Sequence, residues 1–242
     1  SGVPSGAYLS AGLNNGNGSW TLSQTQLAGL KITPPVNWNG TINLNVAAIS
    51  TENNGDYKTV STPLTVSVSA MADAPILTVQ SANGKEDSAI PLSINATLRD
   101  NDGSEHLVIQ ITGVPSGATL SAGTDNGNGS WTLTQAQLTG LKLTPPINSD
   151  IDFNLSVTAV SIETGGQISS TSSNLSVNIV GVADTPVVSA SNTSGAINTK
   201  IPITITGGAS PDSSETLTYI VSGVPDGFSL TQGTNNGNNS WT

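Results

Sequence analysis

Sixteen aspartates and glutamates, six lysines and arginines, one histidine and no cysteine are the ionisable stock of this 242-residue chain. Nucleophilic catalysis lacks parts here. A Ser-His-acid or Cys-His arrangement needs a histidine near a nucleophile, and His106 stands alone at the start of a strand-like stretch, where a solvent-facing position suits it best. Paired carboxylates could drive glycoside chemistry, but the acids fall in polar turns and no apolar cleft is evident around them. The chain therefore reads as non-enzymatic. What remains is an oxygen-rich, sulfur-free set: Asp73, Glu86 and Asp87 in "KEDS", Asp100, Asp102 and Glu105 in "DNDGSE", Asp150 and Asp152 in "NSDID", Glu163, Asp184, Asp212 and Glu215. Clustered carboxylates of this kind select a hard cation, calcium before zinc. The bland alternative is a set of solvated acidic turns. "DNDG" alone is weak, because an EF-hand loop needs a spaced continuation to a final glutamate and helical flanks, and both are missing.

The elements that must position these acids recur. "GVPSGAYLSAGLNNGNGSWTL" from Gly2, "GVPSGATLSAGTDNGNGSWTL" from Gly113 and "GVPDGFSLTQGTNNGNNSWT" from Gly223 lie 111 and 110 residues apart, and "ADAP" around Asp73 returns as "ADTP" around Asp184. A period of about 110 residues is that of a self-sufficient small domain, not of a solenoid unit that must stack. The markers divide the chain into the back part of one repeat (1–73), a whole repeat (74–184) and the front part of another (185–242).

Within the repeat the apolar period is two. Ile90, Leu92, Ile94, Ala96 and Leu98 alternate with polar residues, as do Phe153, Leu155, Val157 and Ala159, and Leu175, Val177 and Ile179. Turn signals such as "ANGKED", "DNDGS", "DNGNGS" and "ETGGQ" separate these strands at short intervals, so the fold class is all-β, an antiparallel sandwich in each repeat. "TQAQLTGL" has room for one helical turn. Trp131 alternates with Leu133 and is expected as a core anchor; a sugar-stacking platform is the competing reading. Trp38 aligns with Ser149 of the second repeat and is the candidate exposed aromatic.

Charged residues are only 9% of the chain, and the net charge of −10 repels nucleic acid and anionic membrane surfaces. Hydrophobic residues at 35% still allow a core in each repeat. No apolar run spans a membrane in this segment. The absence of cysteine fits a bacterial surface protein as well as a cytosolic one.

Strand direction assigns each acidic cluster to an end of the repeat. With the linker at Asp73 entering at the top, the first strand runs down to "KEDS" and the next runs up to "DNDGSE". Working back from Asp184, "NSDID" lies at the bottom and Glu163 near the top. The bottom then holds Glu86, Asp150, Asp152 and Asp184, and the top holds Asp73, Asp100, Asp102 and Glu105. Stacked repeats bring the two sets to one junction, where unrelieved repulsion favours a cation.

As a composite, "GVPSGATLSAGTDNGNGSWTLTQAQLTGLKLTPPINSDIDFNLSVTAVS" with "KEDSAIPL", "DNDGSEHL" and the "VADTP" linker resembles the tandem Ig-like or cadherin-like repeats of giant type I secreted, RTX-type bacterial adhesins, and the likeness covers the whole chain. The resemblance implies a calcium-stiffened extracellular extender at the bacterial cell surface, serving adhesion and biofilm formation, with Asp73, Glu86, Asp100, Asp102, Asp150, Asp152 and Asp184 as ligands. The flanking repeats depart from it. Asn39 and Thr41 replace the "DID" acids in the first; Ile197 and Asn198 replace Glu86 and Asp87 in the third, Pro211 stands for Asp100, and Asp212 and Glu215 survive.

Two other function classes stay open: a carbohydrate-binding or adhesive module using Trp38 and the Asn-rich loops, and an accessory domain of a secreted hydrolase. A glycan or host-surface ligand could be met elsewhere in a longer protein. The partners expected directly are neighbouring repeats. Residues 1–73 and 185–242 are each partial repeats whose strands complement one another, so an isolated chain would expose apolar sheet faces and could associate head to tail; a window of a longer array is the preferred reading.

Overall fold

The computed structural model describes residues 1–100, 103–208 and 214–242. The period-two pattern of the middle segment resolves into two facing layers. The longest elements are Phe153–Glu163 and Ile168–Val180, an antiparallel hairpin paired from Phe153 opposite Val177 to Ile162 opposite Ile168. Its turn closes by hydrogen bonds from Gly166 N to Glu163 O and from Glu163 N to Gln167 O. On its other side Phe153–Glu163 pairs with Glu105–Thr112, Glu105 lying opposite Glu163. Ser130–Thr134 and then Thr124–Gly127 extend the sheet, and Ala82–Lys85 closes the far edge, for six strands. The facing layer consists of Thr119–Leu120, Lys142–Thr144 and Ile90–Pro91, beside the pair Ile76–Gln80 and Ser93–Thr97.

The core lies where the two layers meet. Ile90, Leu92, Ile94 and Ala96 from one side pack with Ile109, Ile111, Leu133, Leu155, Val157, Leu175 and Val177 from the other, all buried. Each fully buried aliphatic side chain contributes about 1.5–3 kcal/mol of transfer free energy. The architecture is thus all-β, an Ig-like or cadherin-like sandwich. "TQAQLTGL" supplies one 3-10 turn, Gln135–Leu138, whose entry is held by Thr134 N donating to Gln137 Oε1 at 2.9 Å and whose Leu138 reaches the core. Trp131 is half-buried against the same core, in keeping with an anchor. His106 is an exposed strand residue.

One pairing departs from the antiparallel expectation. Ala82–Lys85 runs parallel to Ile168–Val180, Val177 opposite Ala82 and Val180 opposite Lys85. The cause is a change of layer after Ile76–Gln80. Those residues pair with Ser93–Thr97, and the chain then crosses to the edge of the larger sheet formed by Ile168–Val180, which already runs the same way. Gly84 permits the crossing, because a Cβ there would collide with Ile90.

The repeated stretch folds identically in outline each time. In the middle copy Gly127 N donates to Asp125 Oδ1 at 2.8 Å, Asn126 Nδ2 donates to Thr132 Oγ1 at 2.8 Å, and Val114 N donates to Gly129 O at 3.1 Å, tying the hairpin tip back to "GVP". Asn128 and Gly129 form the tip at φ +52° and +70°, the left-handed region that Asn and Gly tolerate best. A Cβ at Gly129 would strike Val114 O.

The flanking segments repeat the elements but not the burial. Gly40–Thr51 and Tyr57–Val68 pair like the long hairpin of the middle repeat, yet Val46 and Leu64 are 46% and 47% exposed where Val157 and Leu175 are fully buried. Near the other end, Ile203 and Ile205 are 52% and 40% exposed where Leu92 and Ile94 are buried.

Candidate functional site

At the bottom of the middle sandwich the chain folds two acidic turns onto the last strand. Glu86 N donates to Val180 O, so "KEDS" turns directly beneath Ile168–Val180. Asp87 sits at φ +53° and its Oδ1 accepts from Asn148 N at 2.9 Å, pulling "NSDID" against that turn across 61 residues of sequence. Asp152 Oδ1 accepts from Ile179 N at 2.7 Å, and Glu86 Oε1 accepts from Val182 N at 2.5 Å. The carboxylates of Glu86 and Asp150 then flank Gly181: a Cβ added there would lie 3.6 Å from Glu86 Oε1 and 3.5 Å from Asp150 Oδ2. Glu86 is only 3% exposed, and its Oε2 is buried without a hydrogen-bond partner.

The top of the same sandwich has the complementary form. Asp73 N donates to Glu105 Oε1 at 2.7 Å, while Glu105 Oε2 is buried and unpartnered. Ser104 Oγ donates to Glu163 Oε2 at 3.1 Å, and Thr164 N donates to Glu163 Oε1 at 3.1 Å. Arg99 Nε reaches Ala74 O at 3.4 Å. A cleft of about 270 Å³ opens here, lined by Asp100, Ser104 and Glu163 of the middle repeat, by the linker residue Asp73 and, from the preceding repeat, by Pro34, Pro35, Asn37, Trp38, Asn39, Ser69, Ala70 and Met71. Trp38 is half-buried beside Gly40, so the aromatic expected to be exposed is one wall of this cleft.

The next junction reuses the first contact. Asp184 N donates to Glu215 Oε1 as Asp73 N does to Glu105 Oε1. Of the acids singled out from sequence, Glu86 and Asp150 come together, Asp73 meets Glu105, Asp73 and Asp100 share the cleft, and Asp184 meets Glu215. Asp152 is exposed with one oxygen committed to the backbone. Asp102 and Asp212 lie outside the described residues. Among the described residues no three His, Cys, Asp or Glu side chains converge to hold a metal; the carboxylates meet in pairs, with backbone and amide oxygens around them.

Two placements do not fit the alternative of solvated acidic turns. Glu163, 4% exposed, and Glu86, 3% exposed, are buried. Glu163 continues the inward phase of Leu155, Val157, Ala159 and Ser161, and Ser161 Oγ is likewise buried without a partner. Ser104 is the site residue that the sequence did not single out, and for Glu163, placed near the top, the burial was not foreseen. The signal was present, since an alternation followed two steps past Ala159 reaches Glu163.

The donor chemistry suits a hard cation. The available donors are oxygen only, and a buried carboxylate oxygen with no hydrogen-bond donor carries a desolvation cost that a cation would offset. Glu86 Oε2 at the bottom and Glu105 Oε2 at the top are two such atoms.

No family model matches the chain, and no curated protein matches it in sequence. Among solved structures it is similar to protocadherin ectodomains. A protocadherin gammaB7 EC3-6 cis-dimer structure is 14% identical with a TM-score of 0.38, covering 67% of this chain and 39% of that one. Protocadherin Gamma B2 extracellular cadherin domains 1-5 are 17% identical with a TM-score of 0.38, covering 66% and 29%. PcdhgB3 EC1-4 is 15% identical with a TM-score of 0.36, covering 58% and 32%. The chain thus spans about a third of the length of the solved chains it matches. Likeness at this level carries no conclusion about ligand, partner or activity. No helix among the described residues is long and apolar enough to cross a membrane.

Proposed function

We propose that this chain is a run of structural extender repeats, bounded at 73/74 and 184/185, from a large extracellular adhesin of the RTX-type, type I secreted bacterial class, with calcium at the repeat junctions. The observation that carries the reading is the pair of buried, unpartnered oxygens, Glu86 Oε2 and Glu105 Oε2, at opposite ends of one sandwich. Glu86, Asp150 and Asp184 would hold the ion at the second junction, and Asp73, Asp100, Glu105 and Glu163 at the first. Calcium supplies positive charge between facing carboxylates and so stiffens the array. The residues of this chain do the rest. Asp87 ties one acidic turn to the other, Asp152 anchors its loop to Ile179 N, and the repeated linker contacts to Glu105 and Glu215 fix each linker aspartate on the following repeat.

In this role the repeats project a binding region from the cell surface, for attachment and biofilm formation. The test is calorimetric titration of the metal-free chain with calcium, beside Glu86→Gln and Glu105→Gln. Saturable binding that weakens in both variants supports the reading, and absence of binding at millimolar calcium contradicts it.

A second reading, carbohydrate binding, is favoured by one feature. The first junction lacks the lower acids and instead presents Trp38 with Asn37 and Asn39 across from Asp73 and Asp100, an aromatic wall facing amides and carboxylates. Glycan-array binding that Trp38→Ala abolishes would establish it.

A further inference from the structure

The hairpin within each repeated stretch is dense in asparagine, and side-chain hydrogen bonds hold its first two Asn or Asp residues in every copy. The first, Asn14, Asp125 or Asn235, accepts through Oδ1 from the glycine N–H two residues on. The second, Asn15, Asn126 or Asn236, donates through Nδ2 to Thr21, Thr132 or Thr242 Oγ1. The remaining one, Asn17, Asn128 or Asn238, stands exposed at the tip at φ +51°, +52° or +51°. Its amide makes no hydrogen bond to the described residues, and neither does the hydroxyl of Ser19, Ser130 or Ser240 two residues later.

Those two free groups form an N-x-S triplet in every copy: Asn17-Gly18-Ser19, Asn128-Gly129-Ser130 and Asn238-Asn239-Ser240. The middle residue changes and the triplet does not. The first asparagine is exchanged for Asp125 in the second copy, since a carboxylate accepts from glycine N–H as well as an amide does. Asparagine also fills the left-handed positions Asn37, Asn148 and Asn198, which lie in no such triplet; what sets the hairpin tip apart is an exposed, unbonded amide with an unbonded serine hydroxyl two residues on, in all three copies.

We propose that Asn17, Asn128 and Asn238 are acceptors for N-linked glycosyl transfer, one sugar site on the same hairpin tip of each repeat. The donor is a sugar activated as a diphosphate ester. Asparagine Nδ2 forms a bond to the anomeric carbon, the bond from that carbon to the phosphate oxygen breaks, the diphosphate leaves with the electron pair, and the amide loses one proton. The triplets Asn154-Leu155-Ser156 and Asn174-Leu175-Ser176 are tied to each other instead: Ser176 Oγ donates to Asn154 Oδ1 at 2.8 Å, which commits the amide of one and the hydroxyl of the other.

Peptide mass spectrometry of the protein purified from the cells that naturally produce it tests the assignment. Expected is a hexose or N-acetylhexosamine mass on the peptides containing Asn17, Asn128 and Asn238, with the strand triplets at Asn154 and Asn174 unmodified. A single sugar identifies a nucleotide-sugar donor, a preassembled oligosaccharide a lipid-linked one, and either supports the proposal. Asn128→Asp keeps a residue suited to the turn and Ser130→Ala keeps the acceptor; both should abolish the mass at the middle site while the melting temperature holds. Unmodified Asn128 in the native protein, or modification that persists in Ser130→Ala, overturns it.

Discussion

The backbone N–H of Asp73 donates to Glu105 Oε1 at 2.7 Å, and one repeat later the backbone N–H of Asp184 donates to Glu215 Oε1. Each linker aspartate is thereby held by the repeat that follows it. The second oxygen of Glu105 is buried and has no donor. A linker so arranged brings its aspartate and a bare carboxylate oxygen to the same junction, and this is the arrangement through which the proposed ion would stiffen it.

Glu86→Gln separates charge from hydrogen bonding. The glutamine carbonyl can still accept from Val182 N, but the buried charge beside Asp150 is gone. In chelator the variant should melt at or above the parent temperature, because a buried unpaired charge is removed. In calcium it should melt below the parent. Parallel melting curves in the two buffers check both signs.

Asp150→Ala should leave the chelated repeat as stable as the parent and remove the calcium increment. An ion at a hundred times its dissociation constant adds about 2.7 kcal/mol to the state that binds it. Leu155→Ala, fully buried at the centre of the core, should instead cost about 2–5 kcal/mol in either buffer. Urea melts with and without calcium distinguish the two patterns.

Gly84→Ala tests the layer crossing. The added Cβ would meet Ile90 in the core, and overpacking of this kind costs about 1–3 kcal/mol. Gly84→Ala combined with Ile90→Val should recover part of the loss, measurable as a double-mutant cycle on unfolding free energy.

Much of this arrangement was legible in the residues. The alternation of Phe153, Leu155, Val157 and Ala159 marked the central strand, and strand direction alone put Glu86 with Asp150 and Asp73 with Glu105 at opposite ends. The contact between Asp87 and Asn148 was not, since 61 intervening residues carry no local sign of it. Nor was the parallel edge formed by Ala82–Lys85. Direction shows that the first and last strands both run down, but the crossing between layers depends on which edge is left open once all other strands have paired. The burial of Glu163 was hidden by its type: a carboxylate reads as solvated unless its phase along the strand is followed to the end.

The most direct test of calcium-stiffened repeats is small-angle X-ray scattering of the whole chain in calcium and in chelator. Calcium should lengthen the maximum dimension and narrow the distance distribution, because carboxylates facing each other across a junction no longer repel. An unchanged maximum dimension, together with an unchanged melting temperature, would contradict a calcium-held junction.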